Sequence, residues 1–384
     1  MGDDQDVKLD PTTLARLKGK RVVTIGGGTG PFAVLSSLKQ YPCAITAIVT
    51  MSDSGGSSRR LMDEFGQLPF GDLRQALVAL SRRENLWRDV FTFRFEPGHG
   101  HNGNGHSDLT GHPTSFMSLN DDPGNSHARL VAREAGVTGH SLGNLIISAL
   151  EEMFGGDLLT AITKAQELLD TAGTVLPVTL AHSTLCAELE GDETICGETD
   201  IDTRGEKNFG TLPPIKGIFL ENPAPACDEA LRAIRRADLI VLGPGDLYTS
   251  ILPNLLVDGM TEAIAASHAE KIYVCNLMTK HGETDGYRAS EFVLQVQRYL
   301  EGPVDRVILH DGIFPEDVVR AYAAQAQYPV EADVERVQQL VPQVIVESVL
   351  AVHRSNYVRH DPARLLHAIF SAPIQTTAQP EGRR

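Results

Sequence analysis

The chain has no uninterrupted apolar run long enough to cross a bilayer and no N-terminal secretory signal, which predicts a soluble, cytoplasmic protein. Cysteine is scarce. Cys43, Cys186, Cys196, Cys227 and Cys275 are odd in number and include no C-x-x-C pair, which predicts a reducing compartment and no disulfide. Basic charge is also short. With 34 Lys and Arg against 50 Asp and Glu, the formal net charge is −16. A field of that sign excludes nucleic acid and anionic membranes as partners of the bulk surface. It does not exclude one nucleotide held in a local pocket. H-E-x-x-H, a Ser–His–Asp spacing and a kinase signature are all missing, so nothing points to hydrolytic nucleophile chemistry.

What is present begins at Arg21-Val22-Val23-Thr24-Ile25, which runs straight into Gly26-Gly27-Gly28-Thr29-Gly30. Phe32, Val34, Leu35 and Leu38 follow at helical spacing. This predicts a buried first strand, a tight turn and a helix. Glycines let backbone approach a ligand closely, and a helix N-terminus favours an anion, so the stretch is a candidate phosphate cradle. The glycines read G-x-G-x-G, not G-x-G-x-x-G, which disfavours an NAD-dependent oxidoreductase. No Gly-Lys-Ser/Thr follows, so this is not a P-loop.

At 384 residues the chain exceeds the usual size of a single core. Apolar runs at 44–50, 174–179, 238–242, 271–275, 306–309 and 344–347 alternate with helical patterns, among them 145–154, 157–170, 226–237, 289–299 and 362–370. Such alternation predicts a Rossmann-like, three-layer α/β/α fold on a mostly parallel sheet. Residues 185–220 alternate and carry Gly191-Asp192, a hairpin signal within a small β-rich subdomain. The expected organisation is a flexible tail over 1–17, a main domain over 18–330, a C-terminal segment packing on the core over 331–372, and a second tail over 373–384. Residues 96–127 lose apolar periodicity and read as a mobile insertion. Its His99, His101, His106, His112 and His127 lack ordered ligand spacing and read as solvated, not metal-binding.

Candidate site residues cluster in loops after strands. Asp53 follows the second strand, placed either to hold ribose hydroxyls or to coordinate a phosphate-screening cation. Gly55, Gly56, Ser57 and Ser58 surround phosphate oxygens in the same reading. Asp72 stands at a helix start, as metal ligand or simple N-cap, and Arg74 could present a guanidinium fork to phosphate. His140 and Asn144 are one helical turn apart and can face one site. Gly243 and Gly245 form a second anion nest after the 238–242 strand, leading into Asp246, Tyr248, Thr249 and Ser250. Two such loops suit a ligand with two anionic anchors, such as a nucleoside diphosphate.

The stretches Thr24–Gly30, Ile45–Ser58, Gly71–Arg74, Gly139–Asn144, Gly243–Leu256 and Lys271–Tyr287 together resemble the YvcK/CofD family, in order and over most of 20–325. The resemblance is nearer the YvcK, or gluconeogenesis-factor, branch. It implies a Rossmann-like fold and a cytoplasmic regulator that binds a nucleotide sugar of the UDP-sugar type, needed for cell shape and wall synthesis on gluconeogenic carbon sources. It also implies that the glycine loops, Asp53, Asp72 and Asn276 face the ligand. An enzyme of amino-sugar or cell-wall synthesis is the protein partner it suggests, and a homo-oligomer is compatible with it. The CofD branch implies the alternative, a magnesium-dependent 2-phospho-L-lactate transferase acting on a deazaflavin. There Asp53 and Asp72 would hold Mg2+, and an acceptor alcohol would attack in line. The chain departs from the family pattern in its long 96–127 insertion, and it has Ser54 where the transferase branch tends to carry a second Asp, which weakens the case for a transferase metal site. A deazaflavin also needs a broad apolar or aromatic slot, and aromatics are only 6% of the chain.

Overall fold

The structure is a computed structural model, and it describes residues 14–15, 17–52, 68–94, 139–207, 210–352 and 357–370. In chain order the strands are β1 (Arg21–Gly26), β2 (Ala44–Val49), β3 (Thr174–Pro177), β4 (Leu185–Leu189), β5 (Thr194–Cys196), β6 (Ile215–Leu220), β7 (Leu239–Leu242), β8 (Glu270–Val274), β9 (Arg306–His310), β10 (Gln343–Glu347), β11 (Leu350–Val352) and β12 (Val358–His360). The helices are α1 (Gly30–Leu38), α2 (Gly71–Leu80), α3 (Glu84–Thr92), α4 (Leu142–Met153), α5 (Leu158–Leu169), α6 (Glu198–Asp202), α7 (Arg204–Lys207), α8 (Asp228–Arg236), α9 (Met260–Ala266), α10 (Ala289–Leu300), α11 (Glu316–Ala323), α12 (Val334–Val337) and α13 (Pro362–Phe370).

Seven strands form one parallel sheet in the order β10-β9-β8-β7-β1-β2-β3. The expected α/β class and parallel sheet are therefore observed. All four residues of β7 are buried, and so are five of the six in β1. That is the pattern of strands covered on both faces, and it explains why the apolar runs were legible. The β1–β7 pairing joins segments more than two hundred residues apart. Asp238 pins it at the sheet's lower edge. It accepts from Arg21 N–H at 2.8 Å and Nε at 3.0 Å, and its other oxygen takes Nη2 at 2.9 Å. The hydrogen-bonded guanidinium holds the Asp238 carboxyl down to about 2.

A three-stranded antiparallel sheet, β5-β4-β6, is the expected β-rich element. Gly191 and Asp192 turn its hairpin with φ of 95° and 66°. One expectation fails here. Cys186 and Cys196 stand opposite one another in the β4–β5 register and are joined by a disulfide. Counting C-x-x-C spacings misses a cross-strand pair, because a hairpin brings together cysteines ten residues apart. Cys43, Cys227 and Cys275 are free thiols.

Helix ends follow local chemistry. Asp157 caps α5, its carboxylate accepting from Thr160 N–H at 3.1 Å. The helix expected from 145 begins three residues earlier, with Ser141 as its cap, accepting from Asn144 N–H at 3.3 Å. Pattern reading overlooks α3, because Phe91 alone of its residues is buried and its apolar stripe is narrow. α13 packs on α1. Among the described residues no helix is long and apolar enough to cross a membrane. The expected 96–127 insertion, with its histidines, lies outside the described residues.

Candidate functional site

In an open parallel sheet the ligand crevice lies beyond the strand C-termini, where the strand order reverses. Here that point is the β1–β7 boundary: the chain builds outward through β2 and β3 on one side and through β8, β9 and β10 on the other. Ile25 pairs with Leu242, so both strands end at the same level. The loops that follow are the two glycine stretches singled out from sequence. They touch. A Cβ built on Gly30 would lie 2.0 Å from the Pro244 carbonyl oxygen and 2.8 Å from Gly245 Cα. Gly28 takes φ +64°, and Ser250 Oγ lies 3.2 Å from its would-be Cβ. Gly26 and Gly27 line the same turn, and α1 starts at Gly30 with Thr29 as its N-cap, no side chain capping it. Its first N–H groups and its dipole therefore point into the crevice region.

Asp72 does not cap its own helix. Phe70 holds the N-cap position of α2, and Asp72 sits inside the first turn. Its Oδ1 accepts from Gly28 N–H at 2.6 Å, across forty-four residues, and its Oδ2 lies 2.3 Å from where a Gly27 Cβ would be. The N-cap reading is thus corrected: a buried carboxylate packs against the first glycine loop. Arg74 donates from Nη1 to the Phe91 carbonyl at 3.1 Å, and its Cδ fills the space beside Gly143, so it ties α2, α3 and α4 together. His140 precedes the α4 cap, so it and Asn144 are not a helical turn apart on one helix; both are buried. Asp53, Gly55, Gly56, Ser57 and Ser58 lie outside the described residues. Half of the expected Mg2+ pair is therefore Asp72 alone, and among the described residues no group of three or more His, Cys, Asp or Glu could hold a metal ion.

The second loop is braced from beneath. After β7 come Gly243 and Gly245, both at positive φ, then a π-helical turn over Leu247–Ile251. Asn276 Nδ2 donates to the Gly245 carbonyl at 2.8 Å and its Oδ1 accepts from Tyr273 at 3.3 Å. Tyr248 is buried, its hydroxyl 2.8 Å from that of Tyr287. Thr249 Oγ1 donates to Asp202 at 3.4 Å. Tyr248, Thr249 and Asn276 therefore build the wall of the loop.

Sequence reading missed the group next to it. Lys280 Nζ, from the segment after β8, meets the carboxylates of Asp202 on α6, of Asp246 at 2.9 Å and of Glu283 at 3.0 Å. Burial works to lower the Lys280 pKa, but Asp246, Glu283 and Asp202 outweigh it and push it well above the ordinary range. Burial drives the Glu283 carboxyl up to about 8; Lys280 pulls it down while Asp246 and Asp202 push it further up. The i,i+3 spacing of Lys280 and Glu283 was the one available signal. Nothing local links Asp202 to them.

Comparison with known proteins bears on most of the chain. Residues 22–350 match the protein family described as 2-phospho-L-lactate transferase CofD. The chain is 36% identical to a protein named gluconeogenesis factor from Halalkalibacterium halodurans, over 94% of this chain and 99% of that one. It is also 36% identical to the gluconeogenesis factor of Bacillus subtilis, over 89% and 94% respectively. A crystal structure of a Bacillus halodurans protein, described as a member of the UPF0052 family, superposes with a TM-score of 0.77 at 36% identity, covering 92% of this chain and 100% of that one.

Proposed function

The chain belongs to the YvcK/CofD family, and from that premise we propose that it is a nucleotide-binding regulator of the gluconeogenesis-factor branch, with a nucleotide sugar of the UDP-sugar type as its ligand. One observation carries this reading. Two glycine loops, after β1 and β7, touch where the strand order reverses. Two anion-binding loops side by side suit a diphosphate. In this reading no bond is broken. Ligand occupancy is the signal, read by an enzyme of amino-sugar or cell-wall synthesis, and the outcome is control of cell shape on gluconeogenic carbon sources.

The second reading, phospholactyl transfer, is favoured by the family's description and by the Asp72 carboxylate lying against the first glycine loop. Mg2+ at that carboxylate would neutralise phosphate charge; Asp72 with Asp53 would hold it.

Thermal-shift and calorimetric titration with UDP-sugars, GDP compounds and NAD, each with and without Mg2+, test the first reading. A ligand at 100 times its Kd adds about 2.7 kcal/mol of stability. A UDP-sugar is expected to bind. Binding of NAD alone would overturn the proposal.

Asp72 separates the two readings. Asp72→Asn keeps an acceptor for Gly28 N–H, so binding is expected to stay within a few-fold of wild type by calorimetry. Asp72→Ala orphans that N–H and is expected to cost about 1–3 kcal/mol. Wild-type formation of a phospholactyl–deazaflavin product, lost by orders of magnitude in Asp72→Asn, would establish the transferase reading instead.

A further inference from the structure

The loop after β7 receives its shape from the segment after β8, residues 275–288. Asn276 holds the Gly245 carbonyl, and Lys280 holds the next side chain, Asp246. The same ammonium reaches Asp202 at the end of α6. α6 follows directly on β5, so Asp202 belongs to the small-sheet lobe. That lobe also docks on 275–288 through backbone. A Cβ on Gly205 would lie 2.1 Å from the His281 carbonyl oxygen, and one on Gly282 would lie 2.9 Å from Arg204 Cγ. The far side of the lobe is anchored separately, where Tyr299 on α10 accepts from Ile218 N–H on β6 at 2.7 Å.

We propose that Lys280 is a positioning residue: a built-in cation that clamps the small-sheet lobe, through Asp202, to the second glycine loop, through Asp246, so that ordering of the lobe and ligand binding at that loop are coupled. The coupling rests on the ligand reading given above; the clamp does not.

Charge count supports a clamp that works as a unit. Three carboxylates face one ammonium. Glu283 lies beneath, almost fully buried, with Oε2 making no hydrogen bond among the described residues. The charged groups facing it are Lys280 on its own segment, Asp246 on the β7 loop and Asp202 on α6; Arg204 on α7 interacts with it and with Asp285. Burial pushes the Glu283 carboxyl up to about 8, whereas Asp202 and Asp246, the two carboxylates that join the lobe and the loop, both lie against the Lys280 ammonium. An ammonium removed from between these two half-buried carboxylates leaves both charges uncompensated, so both attachments should loosen together.

Hydrogen exchange and calorimetry test this on the full chain, with UDP and GDP as probes. Lys280→Met is expected to raise amide exchange at least tenfold in both 198–207 and 243–251, leaving β9 and β10 unchanged, and to weaken the bound diphosphate at least tenfold. Lys280→Arg should restore most of both effects. Asp202→Asn, which spares Lys280, should raise exchange in 198–207 and weaken binding several-fold, although Asp202 is not part of either glycine loop. Unchanged exchange in Lys280→Met, or exchange raised in one segment alone, would overturn the clamp. Raised exchange in both segments with unaltered diphosphate affinity would overturn the coupling. If neither nucleotide binds the wild type, the ligand reading fails, and the exchange data still decide the clamp.

Discussion

Gly30→Ala is expected to abolish nucleoside-diphosphate binding and to destabilise the protein more than any other single substitution in the glycine loops. The atoms in the way are backbone: Pro244 O at 2.0 Å, Pro244 C at 2.5 Å and Gly245 Cα at 2.8 Å from the added Cβ. No rotamer change relieves such a clash. The loops after β1 and β7 would have to part, at an overpacking cost of about 1–3 kcal/mol or more. Gly28→Ala makes a useful contrast. Its neighbour is the Ser250 hydroxyl, a side-chain atom that can turn away, so the main penalty is the positive φ, on the order of 1–2 kcal/mol. The expected order of loss, in denaturant midpoint and in calorimetric affinity, is Gly30→Ala well beyond Gly28→Ala. Normal binding by Gly30→Ala would mean that contact between the two loops is not what makes the site.

Stability is expected to form a plateau between about pH 4.5 and 6.5 and to fall on either side, with one buried group behind each limb. His360 is the acid limb. It is buried and its Nε2 donates to the Cys275 carbonyl at 3.1 Å. Burial lowers it from 6.5 to about 4, against that hydrogen bond. The unfolded chain therefore binds this proton first. The stabilisation is complete above pH 6.5 and lost as pH falls towards 4, a difference on the order of 3 kcal/mol. Glu283 runs the other way. Burial raises it from 4.5 to about 8, so the folded state keeps a proton that the unfolded chain has released. Its contribution is complete below pH 4.5 and is lost as pH rises towards 8. Between 4.5 and 6.5 the two slopes oppose each other; from 6.5 to 8 Glu283 acts alone of the pair. Denaturant midpoints of Glu283→Gln should stay level from pH 6.5 to 8 while the wild type declines. His360→Gln should lose the decline below pH 4.5 and gain stability as pH falls from 6.5 to 4.5, where Glu283 then acts unopposed. A Glu283→Gln variant that follows the wild-type curve would show that the alkaline limb lies elsewhere.

Local patterns carried much of this molecule. Strands of the main sheet are buried on both faces, so each appears as a short apolar run that needs no partner to be seen; 238–242 and 306–309 are read within a residue of β7 and β9. Caps and turns are equally local. Asp157 closes α5 with an oxygen three residues from its donor, and Gly191-Asp192 turns the β4–β5 hairpin. Where exposure thins the apolar stripe, as in α3, the pattern fades. Where a hairpin sets residues face to face, as at Cys186 and Cys196, chain spacing is the wrong ruler.

The sequence by itself thus determined the parallel α/β class, and the glycine loops after β1 and β7 as the places where backbone could meet phosphate, because both follow from residues adjacent in the chain. The tertiary structure alone decided that these two loops are neighbours, that Asp72 reaches back to Gly28 instead of capping α2, and that Asp202, Asp246, Lys280 and Glu283 share one partly buried group of charges. Each of these joins segments at least thirty-four residues apart in the chain, except the short Lys280–Glu283 step. Such pairings are set by strand order, which depends on how the whole sheet buries its apolar faces and leaves no mark on the residues it brings together.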